Sequence, residues 1–113
     1  MWIASGSGVR EVTLDAADFE LSRATADGLR GGDARYNAAA VHRVLGGKRS
    51  AARDAVLANA TGALAAHRGL ERAGDLHAAF AKALATARAA IDDGRATTAL
   101  QQWLKLAGTL LVG

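Results

Sequence analysis

Between Leu29 and Thr61 the chain reads LRGGDARYNAAAVHRVLGGKRSAARDAVLANAT, two helix-forming runs joined by a glycine pair. No other stretch limits the possible folds as tightly. Gly31 and Gly32 can take backbone angles that other residues avoid, including positive φ. Asp33 then suits a helix N-cap, where its carboxylate accepts from free N–H groups and sits at the positive end of the helix dipole. Ala34 to Leu45 follows as a helix, with Val41, Val44 and Leu45 on one apolar stripe. Gly46 and Gly47 stop it. Ser50 caps a second helix, whose buried face is expected to carry Val56, Leu57, Ala60 and Leu64.

The rest of the chain has the same punctuation. There is no proline among the 113 residues, so the strongest helix breaker is missing and the 13 glycines divide the elements. Trp2–Ala4 and roughly Val9–Leu14 (VREVTL) read as two short strands around the turn Ser5-Gly6-Ser7-Gly8. An isolated two-stranded hairpin is marginal in water, so this end asks for a partner sheet that the chain does not offer. Asp15–Phe19 reads as one helical turn anchored by Phe19, and Glu20–Gly28 as loop. His67-Arg68-Gly69 ends the second helix, and Leu70–Gly74 connects to a third. Asp75 caps that third helix, where Leu76, Phe80, Leu84, Ala87 and Ile91 form the clearest amphipathic pattern in the chain. Asp93-Gly94 ends it. A fourth helix starts near Ala96, with Leu100, Trp103 and Leu104 on one face, and the apolar tail LAGTLLVG either docks or frays.

The expected fold class is therefore mainly α with a short N-terminal β-hairpin. Residues 1–28 supply strands and loop, and residues 29–113 the helices. Aromatic residues are only 4% of the chain, so alanine does much of the apolar work and favours close helix packing.

Chemistry is harder to find. The net charge of +3 arises from 14 basic and 11 acidic residues of interspersed sign, whereas a nucleic-acid surface needs clustering. Without cysteine there is no disulfide and no thiolate metal site. Gly46-Gly47-Lys48-Arg49-Ser50 looks like a phosphate loop, but that motif needs a glycine where His42 stands and a Ser or Thr where Arg49 stands. Free N–H groups at the start of the second helix could still hold an anion beside Lys48 and Arg49, though an ordinary solvated hinge is the preferred reading. The glycines at 6, 8, 31 and 32 make no dinucleotide fingerprint. His42, His67 and His77 lack the i, i+4 spacing of a helical zinc pair, and Asp92-Asp93 reads as a solvated helix end. Ser5, Ser7, Ser22 and Ser50 have no histidine nearby in sequence. Asn59 reads as a buried amide tied to a loop or helix end. Arg53 and Asp54 read as loop-tying or surface ion pairs, and Tyr36 and Trp103 as packing residues.

Four pieces together resemble a known family: VREVTLDAADFEL (Val9–Leu21), LRGGDARYNAAAVHRVLGG (Leu29–Gly47), ARDAVLANATGAL (Ala52–Leu64) and ARAAIDDGRA (Ala87–Ala96). Their order is similar to that in the C-terminal part of the anthranilate phosphoribosyltransferases, of the nucleoside phosphorylase/phosphoribosyltransferase superfamily. Two features depart from the usual pattern. Ala16-Ala17 stands where relatives commonly have a proline, and HRGLERAGDLHAAF is more irregular.

The resemblance implies that 1–113 is a single C-terminal segment of an α/β domain. The parent would transfer phosphoribosyl from phosphoribosyl pyrophosphate to anthranilate in tryptophan biosynthesis, with Mg2+ neutralising the pyrophosphate. It further implies a cytoplasmic homodimer in which this segment's partner is the remainder of the enzyme. The family's phosphate loop, its lysine-histidine-glycine-asparagine segment and its Asp-Glu pair for Mg2+ all lie upstream of the matched region. No catalytic, cofactor-binding or metal residue is therefore expected in this chain, and alone it is expected to be inactive. Two other classes compete with this reading: a nucleic-acid-binding relative of the enzyme, and a helical protein-interaction module. No secretory signal and no membrane span is expected, and nucleic acid is not the expected partner.

Overall fold

A computed structural model describes residues 1–70 and 74–110. The chain opens with two antiparallel strands, β1 (Trp2–Ser5) and β2 (Gly8–Glu11), in the register Ile3↔Arg10 and Ala4↔Val9. The second strand is shorter than the VREVTL run suggests. Ladder pairing continues only to Val12, whose N–H donates to the Met1 carbonyl at 2.9 Å, and Thr13 and Leu14 lie outside it. Among the described residues nothing pairs with the outer edges, so the ladder stops where its partner stops.

Asp15 caps a single 3-10 turn over Ala16–Phe19, accepting from the Ala17 N–H at 3.0 Å. The loop that follows contains a second such turn, Asp27–Leu29, within a stretch whose mixed composition predicts irregular chain. Four helices come next: α1 (Ala34–Leu45), α2 (Ala51–His67), α3 (Leu76–Asp92) and α4 (Arg95–Leu110). The expected caps are in place. Asp33 accepts from the Tyr36 N–H at 2.7 Å, Ser50 from Arg53 at 3.2 Å and Asp75 from Ala78 at 3.0 Å. Gly47 (φ +83°) follows α1 and Gly94 (φ +79°) follows α3, both left-handed as a glycine stop requires.

The entry glycines work differently from the expectation. Neither Gly31 nor Gly32 has positive φ. They serve close approach instead, since a Cβ on Gly32 would meet the Tyr36 ring at 3.0 Å. The Asn37 amide grips the Gly32 backbone at both N–H (3.0 Å) and C=O (2.8 Å).

The core lies between α2 and α3, which run antiparallel, with Arg53 opposite Asp92 at one end and Ala65 near Ala83 at the other. Leu57, Phe80, Leu84, Ala87 and Ile91 pack with Phe19 from the 3-10 turn and Leu21 just after it. A smaller cluster of Ala65, Leu70 and Ala83 receives Ile3, and so attaches the hairpin. The α3 stripe is buried as its spacing predicts, except that Leu76 is only half-buried.

The expected buried face of α2 needs correction. Val56 is exposed, whereas Arg53, Leu57, Thr61 and Ala65 are buried at strict i, i+4 spacing. Thr61 is tolerated there because its hydroxyl donates to the Leu57 carbonyl at 2.6 Å. On α1 only Val44 of the expected stripe is buried, and Val41 faces out. α4 begins against the body, where Ala96 meets the core and the Thr97 hydroxyl donates to the Leu45 carbonyl at 3.1 Å. Farther along, Trp103, Leu104, Leu106 and Leu110 are exposed. Of the tail LAGTLLVG, residues 106–110 continue α4 and the remaining three lie outside the described residues, as does most of the connector at 71–73. No helix among the described residues is long and apolar enough to cross a membrane.

Candidate functional site

The polar side chains gather at one corner, where α2 begins. Ser50 opens the helix, and the N–H groups of Ala51 and Ala52 have no acceptor among the described residues. Two clefts meet at Ser50. The larger, about 750 Å³, has Arg49, Arg53, Asp54, Arg88, Asp92 and Glu20 in its walls. The smaller, about 310 Å³, lies between α1 and α2 and carries Arg30, Arg43 and Lys48 beside Tyr36. Among the described residues no carboxylate lines that second groove.

The carboxylates of the larger cleft are already engaged. Asp92 takes the Arg53 guanidinium at 2.6 Å, and Glu20 takes Arg88 at 3.3 Å. Asp54 accepts from the Ser22 N–H at 3.0 Å and ties the loop to α2. Arg88 also donates to the Phe19 carbonyl at 2.8 Å, closing the end of the 3-10 turn. The turn leaves through Glu20, which has a left-handed φ of 55° without being glycine. Arg53 is only 8% exposed, and its Nε–H has no acceptor among the described residues. Arg49 has no ion-pair partner among the described residues, and none appears for Lys48.

The expectation of loop-tying or surface ion pairs at Arg53 and Asp54 divides between the two residues. Asp54 ties the loop, whereas Arg53 is buried and links two helices by pairing with an Asp92 side chain that is 56% exposed. Nothing in the local pattern separates a buried Arg53 from an exposed one; only the position of α3 does. Asn59 also needs correction, because it is exposed and its amide donates to the Ala55 carbonyl of its own helix at 2.8 Å. Tyr36 and Trp103 are not core residues within this chain, with 52% and 63% of their surfaces exposed. Arg43 stands over the Tyr36 ring at 5.8 Å.

The remaining candidates do not converge. His77 stacks on Phe19 with ring centroids 4.5 Å apart. Among the described residues no group of three or more His, Asp or Glu side chains lies close enough together to hold a metal ion. Ser5 bonds Ser7, Ser50 caps α2, and neither touches a histidine. Away from this corner, Arg23 pairs with Asp15 and holds its carboxyl below the usual carboxylate range, with the Ala17 N–H adding to the effect.

Comparison with known proteins places this geometry in context. The model of the glycosyl transferase family, a/b domain, matches residues 1–97. The anthranilate phosphoribosyltransferase of Nocardia farcinica (strain IFM 10152) is 42% identical over 113 residues, covering 96% of this chain and 33% of that protein. That of Salinispora arenicola (strain CNS-205) is 46% identical, covering 95% of the chain and 30% of that protein. That of Mycobacterium sp. (strain KMS) is 44% identical, covering 93% and 29%. The chain thus spans about a third of the length of the curated relatives it matches. A hairpin whose outer edges are unpaired among the described residues and an α4 with an exposed apolar face suit a portion of a larger α/β domain. With the family model matching all but the last part of the sequence, the chain belongs to the glycosyl transferase family, as part of its a/b domain.

Proposed function

We propose that this chain is the C-terminal structural segment of an anthranilate phosphoribosyltransferase. The observation that carries the reading is the 42–46% identity, over nearly the whole chain, to relatives of that name. In the proposed reaction the anthranilate amine attacks the anomeric carbon of phosphoribosyl pyrophosphate. Pyrophosphate leaves, and the amine loses a proton to give phosphoribosyl-anthranilate, a step of tryptophan biosynthesis.

This chain's share of that reaction is mechanical. Its α2–α3 pair and the 3-10 turn make a packed block, and its open hairpin edges and the α4 face supply docking area for the remainder of the enzyme. Metal chemistry belongs to residues outside the chain, with Mg2+ countering the pyrophosphate charge in the full-length, homodimeric, cytoplasmic protein. The nucleic-acid and interaction-module alternatives gain no observation of their own.

The test has two arms. The pure 113-residue chain, given anthranilate, phosphoribosyl pyrophosphate and Mg2+, is expected to give no product; turnover would overturn the structural role. A parent containing this segment is expected to turn over, and a parent that binds neither substrate would overturn the transferase reading.

A further inference from the structure

We propose that α4 joins two copies of this chain, as an antiparallel helix pair whose seam is Leu100, Trp103, Ala107 and Leu110. The helix leaves the body after its first turns. Ala96 meets the core and Thr97 bonds the Leu45 carbonyl, but from Gln101 to Leu110 every residue except Ala107 is exposed. Helical segments shorter than about 12–15 residues are marginal in water and hold by packing an apolar face. Such a face is present on the arm. At helical spacing its leucines, Trp103 and Ala107 fall on one half of the circumference, and Gln101, Gln102, Lys105 and Thr109 on the other.

The order of side chains in the seam selects a second copy as the occupant. Leu100, Trp103, Ala107 and Leu110 are spaced symmetrically about Lys105, so the seam reads the same in both directions. Around a two-fold axis at that level, Leu100 lies opposite Leu110 of the second copy, and Trp103 lies opposite its Ala107. Each large ring then faces a small residue, which lets the two helices interdigitate. A two-fold contact also brings like charges together unless the seam is free of them. After Arg95 at its start, the only charge on α4 is Lys105, on the side of the helix away from the seam. An arm with one cation and no carboxylate offers nothing to a charged partner or an anionic lipid surface. The area suffices as well. The chain exposes 7979 Å², against roughly 5,800 Å² for a compact monomer of 11.5 kDa, and a standard interface takes about 800 Å² from each partner. The proposal concerns the 113-residue chain by itself, without the remainder of a parent enzyme to compete for the face, and it does not rest on the transferase reading.

The experiment is sedimentation equilibrium of the full chain over a wide range of concentration. A single-helix seam is at the small end of protein interfaces, so a Kd on the order of 10–100 µM is expected. The 11.5 kDa monomer should prevail in dilute solution, and the mass should rise to a plateau at twice that value. In Trp2→Phe, where Trp103 is the only indole, the emission is expected to move to the blue along the same isotherm. Trp103→Ala and Leu110→Glu change exposed side chains outside the core, and each is expected to weaken association by about tenfold or more while the helix content is kept. Lys105→Gln, on the far side of the helix, should leave it unchanged. A chain that stays monomeric, or that grows past the dimer mass without a plateau, would overturn the proposal. So would association that survives both seam variants, Trp103 emission that does not follow the mass, or a monomer that binds phosphatidylcholine vesicles instead.

Discussion

Phe80 is the residue on which most of the core depends. It meets Phe19 with ring centroids 4.8 Å apart, and Phe19 in turn lies under His77. The chain has only two phenylalanines, and both meet in this cluster. Phe80→Ala is expected to cost about 3–5 kcal/mol, because a cavity adds to the lost transfer energy. The urea midpoint should fall accordingly, while the KM of the parent for anthranilate stays unchanged. A raised KM with an unmoved midpoint would make Phe80 a site residue. Asp15 offers a second test at this scale. Its carboxyl is held low, chiefly by the Arg23 guanidinium and then by the Ala17 N–H. A depressed folded value gives stability that is present above the ordinary aspartate pKa of about 3.9 and fades as pH falls through the lower folded value. In Arg23→Gln the Asp15 titration followed by NMR should move up toward the ordinary value. An unmoved titration would show that the pair does not hold in solution.

At the scale of the elements, stops and starts matter more than propensity. Gly47 and Gly62 make the comparison directly. Gly47 ends α1 with a left-handed backbone, so Gly47→Ala is expected to destabilise by roughly 1–2 kcal/mol. Gly62 lies inside α2, and a Cβ added there would meet nothing within 4 Å, so Gly62→Ala should stabilise by about 0.5–1 kcal/mol. Thermal melts of the two variants should therefore shift in opposite directions. Shifts of the same sign would mean either that Gly47 is not left-handed or that Gly62 does not sit in an open helix interior. The caps and the glycine stop after α1 were legible in sequence because they are local. Asp33, Ser50 and Asp75 cap residues three places ahead of them, and no distant segment is needed to complete the bond.

The whole molecule is too open for its size. Its radius of gyration is 16.3 Å, against about 13 Å for a compact domain near this length. Its accessible surface is 7979 Å², whereas a compact monomer of 11.5 kDa is expected to expose roughly 5,800 Å². The excess is of the size that a large protein interface removes from water. Both tryptophans are in this surplus surface, Trp2 on β1 and Trp103 on α4. The isolated chain should therefore fluoresce like a solvated indole and be quenched readily by iodide. In the parent enzyme at least one of the two should shift to the blue and become protected. Protected tryptophans in the isolated chain would mean that it closes these faces on itself.

Local sequence signals set where α1, α2 and α3 begin and end and which face of α3 turns inward, but not the length of β2 or the 3-10 turn at Asp27–Leu29. Caps, glycine stops and the Leu76–Ile91 stripe act over one or two turns, so neighbouring residues suffice to specify them. Only the tertiary structure decided what α2 buries. Val56 and Leu57 are equally apolar in the sequence, yet one is exposed and the other fully enclosed, because α3 and the 3-10 turn lie along a single face. Arg53 is buried for the same reason, with Asp92 arriving from 39 residues away to meet its charge. Of the α4 stripe Leu100, Trp103 and Leu104, the last two are exposed in the fold and Leu100 is half-buried. Amphipathic spacing specifies that a face seeks cover, but the covering surface is a property of whatever packs there, and that information is not carried by the helix itself.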